Sequence, residues 1–242
     1  MKILNLGCGH KVSPHPDVVN IDWSMYVRVR TKPMLNALAN AVLDGPRRER
    51  LRRMPDNIMA HDLSKGIPFG DGTVDAVFHN NVLEHLDREV AEAFLVECRR
   101  VLKPGGIHRI VVPDFELAAR QYLDHAALCD TDARELDAHD DFIAVMLEQS
   151  VRREAAGTKQ QTTIRRWLEN RLLGDARHRG ETHQWAYDRH TLAAKLQRAG
   201  YGQIRVYDFR TSGIAGWAQY ALETAPDGSE YAPGSLYLEA KA

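Results

Sequence analysis

Two short apolar runs near the start of the chain constrain the fold most. Residues 2–6 run directly into Gly7-Cys8-Gly9, and residues 17–21 are followed by Asp22. Glycines directly after a strand let backbone amides approach a ligand closely, and an acid at the tip of the next strand can bind a ribose diol. The spacing therefore predicts two parallel strands that form half of a nucleotide-type pocket.

Apolar runs alternate with helical patterns along the rest of the chain. This alternation predicts an α/β fold with a doubly wound, mainly parallel sheet that is covered on both faces. The expected strands are residues 2–6, 17–21, 57–60, 74–79, 107–112, 203–208 and 235–240.

Two helices are well defined by their patterns. The first follows the fourth strand, with Asp87 as its expected N-cap and 103–106 as its stop. Its expected apolar stripe is Val90, Phe94, Cys98, Val101 and Leu102. The second runs from about Arg189 to Ala199, with Leu192 and Leu196 one turn apart.

The length of 242 residues and the 44% hydrophobic content suit a single domain over residues 1–242. Residues 24–56 and 115–182 exceed the connections that a minimal α/β alternation needs, so we expect helical insertions there. Ligands of open α/β sheets bind beyond the carboxyl ends of the strands, from which both insertions leave. The insertions are therefore placed to wall a substrate pocket.

Further motifs follow in a fixed order. They are Asp62-Leu63, then Asn80-Asn81-Val82-Leu83-Glu84-His85-Leu86, then Arg100-Val101-Leu102-Lys103-Pro104-Gly105-Gly106. Over residues 1–114 the set resembles the class I S-adenosylmethionine-dependent methyltransferases, in the type 11-like group with a "VLEHL" helix start. The resemblance implies a seven-stranded, Rossmann-like methyltransferase sheet, an enzyme, and S-adenosyl-L-methionine as cofactor.

The resemblance also implies roles for the first cofactor residues. Gly7-Cys8-Gly9 corresponds to the turn beneath the methionine moiety and the ribose. Asp22 corresponds to the acid that accepts from both ribose hydroxyls, the alternative being a surface loop acid. Asn5 stands where the family usually has an acid, and it can hydrogen-bond either a loop or the cofactor amino group. Lys11 stands where a third glycine is common.

Later positions complete the implied site. Asp62 and Leu63 correspond to the adenine contact, although Asp62 can instead cap a turn. Asn80 and Asn81 correspond to residues beside the transferred methyl group. Asp114 follows the fifth predicted strand and either faces the pocket or caps the next helix. For this chain we expect Asn80 to bind the cofactor, and Asn81 and Asp114 to belong to the catalytic set.

The segment Thr182-His183-Gln184-Trp185-Ala186-Tyr187-Asp188 resembles an "H-x-W-x-Y-D" motif of methyltransferases from bacterial cell-surface sugar and natural-product pathways. Asp188 suits the N-cap of the following helix. Trp185 and Tyr187 are expected to pack between insertion and core. His183 then remains as the first candidate for a substrate contact or a general base.

Composition limits the partners. The net charge is −1, so no global positive field marks a nucleic-acid-binding protein. No apolar run of about 18 residues predicts a membrane span. The arginine-rich stretch 47–53 suits a solvated helix face, while an anionic substrate or a peripheral membrane contact stays open as the alternative.

Cysteine usage and the start of the chain point to a cytoplasmic protein. The three cysteines have no paired spacing, which favours reduced thiols, and the first strand begins too early for a signal peptide to precede it. The histidines lack a recognised metal-ligand spacing, so no metal site is predicted.

The favoured function is in-line methyl transfer to a hydroxyl or amine of a small molecule or glycan, with sugar hydroxyls preferred on resemblance alone. A non-catalytic S-adenosylmethionine-binding scaffold or regulator is the alternative, invited by Asn5 and Lys11. A dinucleotide-dependent oxidoreductase is disfavoured because Gly7-Cys8-Gly9 lacks a further glycine three residues on.

Overall fold

The fold comes from a computed structural model, which describes residues 1–149 and 183–242. Residues 150–182, which make up much of the second expected insertion, lie outside the described residues. All seven expected strands are present within one or two residues at most ends, although the fifth starts earlier than predicted. They are β1 (Ile3–Leu6), β2 (Val18–Asp22), β3 (Ile58–Ala60), β4 (Val74–Asn80), β5 (Leu102–Pro113), β6 (Gly202–Tyr207) and β7 (Ser235–Lys241).

The seven strands form one sheet in the order β3-β2-β1-β4-β5-β7-β6. The first five strands in this order run parallel, whereas β7 is antiparallel to both of its neighbours. The α/β fold is therefore confirmed, but the sheet is mixed. The order reverses between β1 and β4, and such a switch point is where open α/β sheets bind their ligands.

The described helices lie mainly where patterns predicted them. They are α1 (Met25–Arg30), α2 (Pro33–Val42), α3 (Gly45–Arg52), α4 (Arg88–Val101), α5 (Phe115–Cys129), α6 (His139–Gln149) and α7 (Arg189–Arg198). The first three occupy the expected insertion at 24–56, and α5 and α6 lie in the second one. None of the helices in the described parts of the chain is long and apolar enough to cross a membrane.

One face of the sheet is covered by α4 and α7. Phe94, Cys98 and Val101 of α4 are buried as expected, as are Leu192 and Leu196 of α7. The prediction was wrong for Val90, which is half exposed. The buried arc of α4 passes instead through Ala91 and Leu95, because positions spaced by three and four residues share one helix face.

Two further details of these helices differ. Leu102 of the expected stripe already belongs to β5 rather than to α4. Asp87 occupies the N-cap position, but its side chain accepts no hydrogen bond from the described helix start. Asp188, by contrast, caps α7 as expected and accepts from the amides of His190 and Thr191.

The opposite face of the sheet is covered mainly by the connection between β6 and β7. Ile214, Trp217, Tyr220 and Leu222 of this connection pack against the sheet, for example against Phe78 of β4. Helices usually cover both faces of a doubly wound sheet. On this face the sheet is covered by a long connection that contains one short 3-10 helix, Trp217–Tyr220.

A buried ion cluster fastens this connection to the sheet. The guanidinium of Arg109, on β5, donates two hydrogen bonds to the carboxylate of Glu223, at 2.7 and 2.5 Å, and one to Glu239 at 2.7 Å. The indole of Trp217 donates to Glu223 at 2.8 Å. Because each charge has an opposite partner and further hydrogen bonds, the cluster tolerates complete burial.

The connection between β1 and β2 is unusual for parallel strands, since residues 7–17 contain no helix. Asparagine side chains satisfy its backbone instead. The Asn5 side-chain amide donates to the Lys11 carbonyl at 2.8 Å, and that of Asn20 donates to the Ser13 carbonyl at 2.9 Å. The Asn57 amide donates to the carbonyls of Ser13, His15 and Val18.

Candidate active site

The glycine turn after β1 has the backbone geometry that glycine permits. Gly7 and Gly9 have φ values of +61° and +50°, in the region that other residues rarely adopt. A Cβ on Gly7 would lie 2.6 Å from a methyl group of Val82, so the turn packs closely on the start of the VLEHL motif. A Cβ on Gly9 would meet only the Gly7 carbonyl within 4 Å, which leaves open space beside the turn.

A cavity of about 210 Å³ opens at this turn. It brings together six residues expected at the site: Asn5, Gly7, Cys8, Gly9, Asn80 and Asn81. Four further residues, which sequence reasoning did not assign to the site, complete its lining: His10, Lys11, Phe78 and Tyr231. The carboxyl ends of β1 and β4 therefore form one concave site at the switch point of the sheet.

Asp22 lies at the rim of this turn. One carboxylate oxygen accepts from the Gly9 amide at 2.9 Å, and the other accepts from the Ser24 amide at 2.6 Å. Each carboxylate oxygen has a second acceptor position. Asp22 can therefore brace the turn and still accept hydrogen bonds from a diol that lies against it.

Cys8 lies between the two glycines and is buried. Burial, reinforced by the nearby charge of Asp22, raises the pKa of its thiol to about 12. A thiol that stays protonated is a poor nucleophile, so Cys8 serves as a small residue in the turn. All three cysteines are free thiols, and Cys98 is fully buried in the core.

Asn81 follows β4 in a left-handed conformation, with φ at +53°, and its amide donates to the Val111 carbonyl at 3.0 Å. A non-glycine residue in this region is uncommon, and asparagine tolerates it best. The turn directs the chain from the carboxyl end of β4 into the short 3-10 helix Leu83–His85. Asn81 thereby lies at the cavity rather than along the strand.

Asp62 caps the short 3-10 helix Leu63–Lys65, which begins after β3. Its carboxylate accepts from the amide and the hydroxyl of Ser64, and these hydrogen bonds lower the pKa of Asp62. The capping alternative is thus what the structure shows for this side chain. Leu63 packs at the edge of the core and lines a separate cavity of about 360 Å³ with Val82 and Leu86.

Asp114 is the N-cap of α5, where its carboxylate accepts from the amides of Glu116 and Leu117. Partial burial raises the pKa of Asp114, partly offset by these hydrogen bonds. Asp114 is not among the residues that line the 210 Å³ cavity. The capping alternative is therefore the role that its contacts support.

The His183 segment docks on the VLEHL motif. The amides of Gln184 and Trp185 both donate to the Glu84 carbonyl, at 2.6 and 3.2 Å. The ring of His183 packs edge-on against that of His85, with 4.8 Å between the centroids. Glu84 is buried beneath them, and burial raises the pKa of its carboxyl to about 8. His183 is outside the lining of the cavity, unlike Asn81.

Trp185 and Tyr187 anchor the same segment, as expected. Tyr187 is buried in the core and forms a β-bridge with Asp114. Trp185 packs at the edge of the core, with the Arg88 guanidinium 4.3 Å from its ring centroid. This packing fastens the segment that contains His183 to the core.

Lys11 stands at the position where a third glycine was expected, and its side chain extends from the turn to the β6–β7 connection. Its ammonium donates to the Thr224 carbonyl and lies 4.4 Å from the ring centroid of Tyr231. Thr224 and Tyr231 belong to the β6–β7 connection, which therefore reaches the cofactor turn. Nothing in the local sequence around Tyr231 signals this contact, because it depends on residues far apart in the chain.

Two groups of side chains in the described parts have ligand atoms within 4.8 Å of one another, as a metal site would need. They are His125, Cys129 and His139, and Glu84, His85 and His183. In the first group the His125 and His139 rings already share a hydrogen bond of 2.9 Å. The prediction that no metal takes part stays a prediction.

Comparison with known proteins gives one match that carries an inference. Residues 4–110 match the profile of a family described as "Methyltransferase domain". No curated protein matches the chain. The matched range contains the glycine turn, Asp22, Asp62, and Asn80 and Asn81 at the end of β4.

Solved structures with a similar course include three methyltransferases. An S-adenosylmethionine-dependent methyltransferase from Mesorhizobium loti is 13% identical, with 100% of this chain and 90% of that one covered and a TM-score of 0.43. One from Archaeoglobus fulgidus is 12% identical, with 100% and 86% covered and a TM-score of 0.42. The 1,6-didemethyltoxoflavin-N1-methyltransferase from Burkholderia thailandensis is 12% identical, with 99% and 70% covered and a TM-score of 0.42. Likenesses this low carry no inference about activity.

Proposed function

We propose that the chain is a class I S-adenosylmethionine-dependent methyltransferase that acts on a hydroxyl or amine of a small molecule or glycan. The match of residues 4–110 to a methyltransferase domain supports this proposal. The observation that carries the proposal is the single cavity that joins the glycine turn to Asn80 and Asn81. A methyl donor held on the turn and an acceptor beside Asn81 would meet there.

The residues of the turn fit the cofactor. Open space lies beside Gly9, where a Cβ would otherwise project, and Asp22 adjoins that space. In the proposed complex Asp22 accepts from the ribose, Asp62 and Leu63 lie near the adenine, and Asn5, Cys8 and Asn80 line the methionine end. S-adenosylmethionine, when bound, supplies an activated methyl group on a sulfonium.

The protein's contribution is then mostly positional. Holding a nucleophile in line with the methyl group can supply about 7–11 kcal/mol. Asn81 is suited to hold the acceptor, because its left-handed turn places it at the cavity. Asp114 is the weaker candidate for contact with the acceptor, because its carboxylate caps α5 and it does not line the cavity.

His183 is the proposed general base. A hydroxyl acceptor must lose its proton as the new bond forms, and neutral imidazole suits that task near neutral pH. The carboxyl of Glu84 lies close to His183, and burial raises the pKa of this carboxyl to about 8.

Substitution of His183 tests this role. His183→Ala should lower turnover, measured as S-adenosylhomocysteine release with acceptor, by about two orders of magnitude and leave cofactor affinity unchanged. His183→Gln should be nearly as impaired, because it cannot accept the proton. His190→Ala, at an exposed position of α7, is the matched control. Full activity in His183→Gln would mean that His183 only positions the acceptor.

A non-catalytic cofactor-binding protein is the second candidate, favoured by one contact. Lys11 and Tyr231 both line the cavity and contact each other there, with the Lys11 ammonium 4.4 Å from the Tyr231 ring centroid, and this contact takes up space that an acceptor would need. Under this alternative S-adenosylhomocysteine binds, but no hydroxyl or amine acceptor yields turnover even in the Tyr231→Ala variant. Turnover in the unaltered protein excludes it.

A further inference from the structure

Helix α2, in the first insertion, has an apolar surface without cover in the described chain. None of its residues is buried. The side chains of Met34, Val42 and Leu38 are 87%, 74% and 61% exposed. Exposed apolar surface on this scale marks an interaction site more often than an accident of sequence.

The exposed side of α2 opens into a groove between α1, α2 and α3. The groove has a volume of about 540 Å³ and is lined mostly by apolar side chains, among them Met25, Leu35, Leu38 and Val42. Arg47, on α3, lies at its edge. We call the surface formed by these three helices the α1–α3 face.

The α1–α3 face is strongly basic. Residues 24–56 contain eight arginines and lysines against three acids, a net charge of +5 in a chain whose total is −1. Trp23, at the border of the face, is about half exposed, and the Arg28 guanidinium lies 4.6 Å from its ring centroid. An apolar helix side flanked by arginines and an interfacial tryptophan is typical of helices that lie in a membrane surface.

The positive charge of the α1–α3 face distinguishes between the partners that could cover it. A second copy of the chain would bring one net positive face against another. Residues 150–182 of the same chain contain eight basic and four acidic side chains, so they would not neutralise it either. An anionic phospholipid surface supplies both a complementary charge and an apolar layer.

We propose that the α1–α3 face docks on an anionic phospholipid bilayer, with Met34, Leu38 and Val42 in the acyl boundary and the surrounding arginines on lipid phosphates. Docking would place the cofactor turn close to the membrane, because Arg50 of α3 hydrogen-bonds the His10 ring at 2.8 Å. The inference goes beyond methyl transfer and does not depend on it.

Vesicle flotation of the full chain tests the proposal. We expect binding to vesicles of phosphatidylglycerol and phosphatidylcholine, weakened by salt, and little binding to phosphatidylcholine alone. Leu38→Asp should weaken binding roughly tenfold or more, since it replaces the burial of a leucine. Leu123→Asp, at a leucine of α5 that is 64% exposed, is the matched control and should bind normally.

Substitution of an arginine provides a second test that leaves the apolar side chains unchanged. Arg47→Gln should weaken binding about fivefold, the contribution of one basic residue near an anionic surface. Absence of binding, or equal binding to neutral and anionic vesicles, would overturn the proposal. The proposal would also be overturned if the unaltered protein does not bind vesicles but forms a dimer that Leu38→Asp dissociates in gel filtration. The α1–α3 face would then bind a second copy of the chain.

Discussion

Among individual side chains, Asp22 has the contacts on which we expect cofactor binding to depend most. Its carboxylate braces Gly9 and adjoins the open space beside the turn. Hydrogen bonds to a charged acceptor contribute about 1.5–3 kcal/mol each. Asp22→Ala should therefore lower the affinity for S-adenosylhomocysteine at least tenfold, measured by calorimetry on folded protein.

Two further variants separate ligand contact from loss of the turn. Asp22→Asn can still accept from the Gly9 amide but lacks the charge, so it should fall between the unaltered protein and Asp22→Ala. Asp56→Ala, which removes a fully exposed carboxylate before β3, should bind normally. Unchanged affinity in Asp22→Ala would remove Asp22 from the site.

The buried carboxyl of Glu84 should make the stability of the protein depend on pH. Burial raises the pKa of its carboxyl to about 8, against about 4.3 in an unfolded chain. Between these values the folded state holds a proton that the unfolded state releases. The free energy of unfolding therefore falls by about 1.4 kcal/mol per pH unit as the pH rises through this window.

Replacing Glu84 should remove this dependence. Glu84→Gln imitates the protonated carboxyl, so it should match the unaltered protein near pH 4 and exceed it by about 3 kcal/mol at pH 7. Urea unfolding at several pH values measures the difference. Glu89→Gln, at an exposed position of α4, is the control. A difference that does not grow with pH would show that Glu84 is ionised in the folded protein.

Among the secondary-structure elements, the β6–β7 connection has the strongest predicted effect on stability. Glu223 accepts two hydrogen bonds from Arg109 and one from Trp217, and all three side chains are buried. Glu223→Ala leaves a buried guanidinium with one charged partner fewer, which should cost about 3–5 kcal/mol in urea unfolding.

An exposed ion pair gives the comparison. Glu49 and Arg53 of the first insertion lie 3.0 Å apart with both side chains more than half exposed. Glu49→Ala should cost less than about 1 kcal/mol. An equally small loss in Glu223→Ala would mean that the connection is not fastened through this cluster.

The same connection shows where prediction from sequence stops. The strands and α7 are predictable because their signals are local: apolar runs end at glycine or at a polar residue, and Asp188 precedes an apolar helical pattern. The cover over the second face depends on Arg109 pairing with Glu223, which is 114 residues away. No local pattern encodes such a pair.

The residues of the candidate site also differ in whether local sequence signals predict them. Gly7 and Gly9 could be assigned because a turn after a strand restricts the residue type. Tyr231 could not, because its place at the cavity depends on Lys11 and on the packing of the whole connection. From the sequence, Asp62 and Asp114 could each either contact a ligand or cap a helix. Only the three-dimensional contacts show that both side chains are helix caps.

Across the molecule, the proposed cofactor site lies in one cavity at the switch point of the sheet, between β1 and β4. The connection between β6 and β7 and the first insertion border this cavity through Tyr231 and through the contact between Arg50 and His10. The methyl donor should therefore bind to the folded chain without any partner.

Calorimetric titration of the purified protein with S-adenosylhomocysteine tests this most directly, with nicotinamide adenine dinucleotide titrated in parallel. We predict saturable binding of S-adenosylhomocysteine at a single site and no heat from the dinucleotide. Folded protein that ignores S-adenosylhomocysteine, or that binds the dinucleotide instead, would contradict the account.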